Sequence, residues 1–416
     1  MRRHFCLKLV AWTFILFVMV SASRAQTTKF KIIHAFAGGD DGYNPVGQLV
    51  FDHAGNLYGA TYYGGSLTAC GGYGCGTVFQ MHPNGGRWSE RVLYNFSDSV
   101  DSYVGAAGPL VLDNTGNIYG TGIFWGYDNG QYFGGELFQV TDTEGSWTGS
   151  MFHEFVGGSN DGAQPNPGLV RDAAGNLYGS TQAGGDLNNN GVIFEFSPNG
   201  DGTWAESLIY QFGSGKAYGP VGPMTIDAAG NLYGTTQSGG AYGWGSVYKL
   251  QQSGGVWSFV SLYDFPPSTN YGESPTPGGL VMDAAGNLYC NTQYGGANGV
   301  GELFKLTPTT GYWKYSSIHT FSGSSDGGYP SGGLAIDNAG NIYGTTLSGG
   351  LFQYGIVYEF SPDAKGRWKE TVLHSFANTN DGYLPQGVIL DSSRNVYGVT
   401  SAGGTNRYGV AYEISQ

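Results

Sequence analysis

The chain has 416 residues and a formal net charge of −13 at pH 7; 74 residues are Gly, 12% are charged and 15% are aromatic. So few charges with so many aromatics exclude a disordered chain, and that much glycine excludes a helical one. The acidic surplus repels phosphate backbones and anionic membrane surfaces, which excludes nucleic acid as the expected partner.

The N-terminus reads as a targeting segment. Arg2, Arg3 and Lys8 precede an apolar run over residues 9–20, and Ser23-Arg24-Ala25 offers small residues at the cleavage positions. Cleavage is expected after Ala25, giving a signal peptide over 1–25. Those residues hold four basic and no acidic side chains, leaving 14 basic and 31 acidic residues and a net charge near −17. No second apolar segment follows, so no membrane span is expected in the mature chain. A secreted or periplasmic monomer is expected.

Residues 29–36, Lys-Phe-Lys-Ile-Ile-His-Ala-Phe, read as a lone strand. A repeat follows. The string Asp-x-x-Gly-Asn-[LIV]-Tyr recurs with Asp at 52, 113, 172, 227, 283, 337 and 391, and only the last copy breaks it, with Arg394 in place of Gly. Each unit reads as four strands. The first is a short apolar run ending at the Asp, such as Leu110-Val111-Leu112; Arg171 is the exception. Its apolar continuity predicts burial on both faces. The second follows the Asn, and the third alternates, as in Val247-Tyr248-Lys249-Leu250. The fourth runs from a Trp to a Phe eight residues on, as from Trp88 to Phe96 or Trp204 to Phe212. Asp opens the turn between strands one and two, and Gly supplies the positive φ it needs.

The seventh unit ends at its third strand, and residues 29–36 match the end of a fourth strand (compare 371–376). These features predict an all-β fold over 26–416, one seven-bladed β-propeller domain. Its last blade is closed by the N-terminal strand, 29–36 pairing within 387–414. Closure removes the open sheet edge.

The repeats resemble the bacterial extracellular tandem repeats called GloVer (Gloeo/Verruco), and the related HAF repeats. The matching residues are Gly-Gly followed by Gly-x-[VL]-[FY]-x-[LMF], as at 239–250 and 295–306, with His34-Ala35-Phe36 resembling the HAF signature. The resemblance spans 29–416 and implies an exported repeat protein with no assigned activity. The Asp string also looks like repeats of NHL-type propellers, whose relatives include lyases and lactonases.

Cys70 and Cys75 flank one loop, and an oxidising compartment favours a disulfide between them. No second Cys pair or His pair accompanies them, so a zinc pair there is disfavoured. Cys290 stands where the repeat mostly has Gly and is expected to be a buried thiol. The seven turn Asps read as scaffold. His34, His153, His319 and His374 fall two residues before the fourth-strand Phe, a slot that Tyr94, Tyr210 and Tyr263 fill elsewhere, so they read as packing sites. Gly323-Ser324-Ser325-Asp326-Gly327 fits a nucleophile motif, but no strand-to-helix elbow can form in that loop. No catalytic residue, metal or cofactor is expected.

The candidate ligand surface is the face where loops joining strands four to one and two to three emerge together. The first kind carries Asp41, Asp161, Asp326 and Asp381; the second carries Tyr62, Tyr63, Trp125, Tyr127, Tyr242, Trp244 and Tyr294. Aromatics beside carboxylates can stack on and hydrogen-bond a sugar or a peptide side chain. The expected function is a binding module for carbohydrate or an extracellular protein. A channel-mouth enzyme of lyase, lactonase or glycosidase type, and a structural matrix component, are the alternatives.

Overall fold

The computed structural model describes residues 28–97, 104–124, 127–128, 131–132, 134–185, 189–213, 217–267, 272–276 and 278–416. The expected signal peptide and Trp125 lie outside these residues. The chain forms seven antiparallel sheets in a ring, a seven-bladed β-propeller. Blade 4 is typical: Tyr218–Ile226, Leu232–Ser238, Ser246–Ser253 and Val256–Asp264 lie side by side in that order. No helix among the described residues is long and apolar enough to cross a membrane.

The last blade joins Tyr383–Leu390, Val396–Ala402 and Val410–Ser415 to Lys29–Ala35. Phe30 pairs with Ile414, Ile32 with Tyr412 and Ala35 with Val410, and the register slips between Ile32 and His34. Other outer strands slip at the equivalent point, between Val92 and Tyr94 or Val372 and His374. The N-terminal segment therefore carries the same bulge as the outer strands it stands in for. The Phe that ends each outer strand is sealed in the core: Phe36, Phe96, Phe155, Phe212, Phe265, Phe321 and Phe376 are all 0% exposed.

The repeat string is explained by one turn. Asp52 Oδ1 accepts the backbone N–H groups of Ala54 (2.8 Å) and Asn56 (2.9 Å). Its Oδ2 accepts the Asn56 side-chain amide (2.7 Å) and the Tyr58 hydroxyl (3.0 Å). The Asn and Tyr bonds recur at Asp113, Asp172, Asp227, Asp283, Asp337 and Asp391. Burial pushes Asp52, Asp113, Asp227 and Asp283 up, but these bonds outweigh it and hold the carboxyls below their ordinary value. Their oxygens are spent on the turn, which is the scaffolding role expected of them.

Arg394 occupies the turn's left-handed position, with φ 66° where Gly55 has 84°. An L side chain there costs about 1 kcal/mol. Its guanidinium lies 3.9 Å from Asp337 of the neighbouring blade, a weak compensation. Arg394→Gly is expected to raise stability by about 0.5–1 kcal/mol, read as a higher urea midpoint at unchanged slope. Arg394→Ala, which keeps the strain and loses the ion pair, lowers the midpoint. A lower midpoint in the Gly variant would show that the ion pair outweighs the strain.

One expectation is corrected. The inner strands are not buried on both faces; Leu110 and Leu280 are buried, but Val111–Leu112 and Val281–Met282 are half-buried. It is the second strand that is buried residue after residue, as over Leu57–Thr61 of the strand Leu57–Tyr63. The inner strands border the central axis, so one side has no sheet to pack on. They are also interrupted by Gly and Pro. Gly47, Gly168, Gly279 and Gly332 have φ of 70°, 89°, 76° and 65°. A Cβ on Gly47 would lie 2.5 Å from the Gly108 carbonyl carbon, and one on Gly278 would lie 1.8 Å from the Gly332 oxygen. Backbone thus meets backbone across the blade junctions, forming a collar around the axis. Gln48 crosses it, donating through Nε2 to the Leu334 (3.2 Å) and Val388 carbonyls.

Candidate functional site

Two cavities border the axis. One, of about 310 Å³, lies at the collar and is lined by Gly47, Gln48, Pro109, Pro167, Pro223 and Gly332 among others. No carboxylate or imidazole lines it among the described residues. The other, of about 600 Å³, opens on the Asp-turn face beside Phe51, Asp52, His53, Asp113 and Arg171. Its carboxylates already hold the turns, and hydrogen bonding keeps both ionised rather than poised to donate a proton. Among the described residues the collar cavity holds no acid–base pair, and in the larger one the carboxylates beside His53 are bound up in their turns.

The opposite, loop-rich face is different. Tyr43 stacks on Tyr63 with centroids 5.1 Å apart and meets Tyr408 at 5.0 Å. Tyr63 in turn lies 4.6 Å from Tyr62 and 6.1 Å from Tyr73. Tyr73 is 64% exposed and Tyr408 40%. Burial, then the hydroxyls of Tyr63, Tyr408 and Tyr73, push the Tyr43 phenol above its ordinary value. The cluster gathers residues from both ends of the chain, because closure sets the loop of the last blade beside the first. The Cys70–Cys75 disulfide pins the loop that carries Tyr73, and Cys290 is a buried free thiol, both as expected.

Of the aromatics singled out in the sequence, Tyr63 is in this cluster. Tyr62 turns into the seam between blades 1 and 2, against Gly105, and its buried hydroxyl has no partner among the described residues. Tyr242 (56% exposed), Trp244 (43%) and Tyr294 (46%) stand on the same face but on blades 4 and 5. Tyr127 is on a short strand pairing with Tyr132. Sequence reasoning missed Tyr43, Tyr73 and Tyr408. Their signal was weak, since each sits in a loop whose neighbour across the seam is set by ring closure.

The four aspartates are not brought together. Each sits at a separate seam and holds its own loop. Asp41, Asp161, Asp326 and Asp381 accept the backbone N–H of Ala37, Val156, Ser322 and Ala377 at 2.5, 2.6, 2.9 and 2.9 Å. Each also faces an imidazole: His34 at 2.9 Å, His153 at 3.4 Å, His319 at 3.1 Å and His374 at 3.1 Å. The histidines pack edge-on against the outer-strand Phe, as expected of that slot, with centroids 4.8, 4.5, 4.9 and 4.8 Å apart. The Asp partner was not foreseen.

A third residue completes the seams. The side chain two places beyond the outer-strand Trp of the next blade faces the His/Tyr slot. Tyr210 stacks on Phe259 at 5.0 Å and Tyr263 on Tyr315 at 4.5 Å. Tyr94 lies over Gly149, where a Cβ would come within 2.3 Å of its ring. His374 stacks on Phe30 at 3.8 Å. Opposite the other three histidines the residue is Glu90, Glu206 or Glu370. Burial, then the charge of Asp41 or Asp326, pushes the Glu90 and Glu370 carboxyls up to about 7.

Solved structures are similar to this chain at low identity. An extracellular domain assigned to a one-component system of B. thetaiotaomicron is 11% identical, with a TM-score of 0.52 over 92% of this chain and 39% of that one. AofleA from Arthrobotrys oligospora is 13% identical over 84% and 90% of the two chains, with a TM-score of 0.44. A gluconolactonase from Xanthomonas campestris is 13% identical over 68% and 81%, with a TM-score of 0.40. No curated protein matches the chain. The Gloeobacter/Verrucomicrobia repeat profile matches residues 122–337 and 313–416, and the chain therefore belongs to that repeat family.

Proposed function

We propose that the chain is an extracellular binding module that takes a glycan on its loop-rich face, at the tyrosine cluster beside the closure seam. The observation that carries this reading is the grouping of Tyr43, Tyr63, Tyr73 and Tyr408, linked by centroid distances of 5.0–6.1 Å and partly open to solvent. Tyrosine rings offer flat apolar faces to sugar C–H groups, and their hydroxyls reach the ring oxygens. The disulfide supports the platform by limiting the motion of the Tyr73 loop, which lowers the ordering cost of binding. A disulfide and a leader-like N-terminus also support export. Tyr242, Trp244 and Tyr294, all exposed, give the same face further contact points.

A glycan array and a protein pulldown with residues 26–416 test the proposal. A glycan hit is expected, and Tyr73→Ala with Tyr408→Ala is expected to weaken it about tenfold or more, ~1.4 kcal/mol, with an unchanged circular-dichroism spectrum. Trp125→Ala with Tyr127→Ala tests the second-blade loop in the same assay. Hits only among proteins would redirect the ligand class. No hit in either screen would favour the matrix-component alternative.

A further inference from the structure

We propose that the three His–Asp–Glu clusters at the blade seams bind divalent metal ions, zinc being the ion their donors suit best. They are His34, Asp41 and Glu90 between blades 7 and 1; His153, Asp161 and Glu206 between blades 2 and 3; and His319, Asp326 and Glu370 between blades 5 and 6. In each, one nitrogen and two carboxylate oxygens lie within 4.8 Å of one another. One imidazole with two carboxylates is a donor set that zinc accepts in tetrahedral geometry, with a fourth place left for water. The His and Asp come from one blade and the Glu from the next, so an ion would staple the seam.

Three further observations point the same way. Glu90 and Glu370 each have an oxygen, Oε1, that no solvent reaches and that has no hydrogen-bond partner among the described residues. A carboxylate oxygen buried without a partner is costly, and a cation removes that cost. Each cluster sets two carboxylates against at most one positive imidazole, so charge is left uncompensated. Third, the seams differ in a pattern that packing alone does not require. Glu appears only opposite His, whereas Tyr faces Gly149, Phe259 or Tyr315. The seam between blades 6 and 7 keeps His374 and Asp381 but puts Phe30 over the ring, so a complete seam forms there without Glu.

The full mature chain, residues 26–416, is dialysed against chelator and then against zinc chloride, and bound metal is counted by elemental analysis. Three zinc ions per chain are expected, with a thermal midpoint several degrees above that of the stripped protein. Glu90→Phe copies the residue at the blade 6–7 seam and is expected to hold two. The triple variant with Glu90, Glu206 and Glu370 changed to Phe is expected to hold none and to lose the midpoint response, while His374→Ala keeps all three. If the triple Phe variant does not fold, Glu90→Gln, Glu206→Gln and Glu370→Gln together serve in its place, with uptake expected to fall at least tenfold in affinity. Wild-type protein that takes up no zinc overturns the proposal. So does uptake that persists in the triple variant, or a seam stability that responds to pH alone and not to metal.

Discussion

Deleting residues 28–36 from the mature chain is expected to abolish its cooperative unfolding transition, whereas shortening the exposed turn at 363–366 shifts the midpoint by only a few degrees. Phe36 is wholly buried in a cluster with Leu49, Phe79, Tyr397 and Ala411, which joins the first blade to the last. Losing such a side chain costs about 3–5 kcal/mol. Phe30 stacks on both His374 and Tyr412, so its loss loosens the blade 6–7 seam as well. The ladder from Lys29–Ser415 to Ala35–Val410 disappears with them, exposing Val410–Ser415 as an unpaired edge. Together these losses match or exceed the whole stability of an ordinary domain, about 5–15 kcal/mol. Near-UV circular dichroism and thermal denaturation of the two deletions decide the point. Equal losses in both would mean that the first strand is an ornament on a ring already closed. A synthetic peptide of residues 28–36 added in trans is expected to restore the transition to the first deletion.

The fold was legible because its rule lies within one unit. Asp, Gly, Asn and Tyr at fixed spacing close a single turn, and the Asp52 bonds show why each is needed. The missing outer strand could be counted, so ring closure was legible too. The seams were not. His34 meets Glu90, and Tyr43 meets Tyr408, through contacts between units, where spacing along the chain carries no information. The His/Tyr alternation was visible, but reading it as packing hid its companion. The residue two places beyond the Trp changes with it, from Glu90 opposite His34 to Phe259 opposite Tyr210 and Tyr315 opposite Tyr263. The inner strands misled for a related reason. An apolar run signals a strand without saying whether its second face meets a sheet or a narrow axis.

Gly332→Ala is expected to cost about 2–5 kcal/mol, and to do so in part by a mechanism that Gly366→Ala lacks. Both glycines are left-handed, with φ of 65° and 74°. An alanine there carries about 1–2 kcal/mol of backbone strain in either case. A Cβ on Gly366 meets nothing within 4 Å. One on Gly332 would lie 2.1 Å from the Gly387 nitrogen and 2.6 Å from its Cα. Those atoms are backbone of the neighbouring blade, so the clash is relieved only by moving one blade against another. Such overpacking costs a further 1–3 kcal/mol or more. The gap between the two variants, read from urea unfolding at matched slopes, therefore measures the collar alone. The same contact bears on where a ligand can go. Where blades meet backbone to backbone, as at Gly47–Gly108 and Gly332–Gly387, the collar cavity is lined among the described residues by no carboxylate or imidazole, and Gln48 reaches from blade 1 to the Leu334 carbonyl of blade 6. Equal costs for the two variants would mean that the blades do not touch at the collar. A site on the axis would then have to be weighed against the tyrosine cluster on the rim.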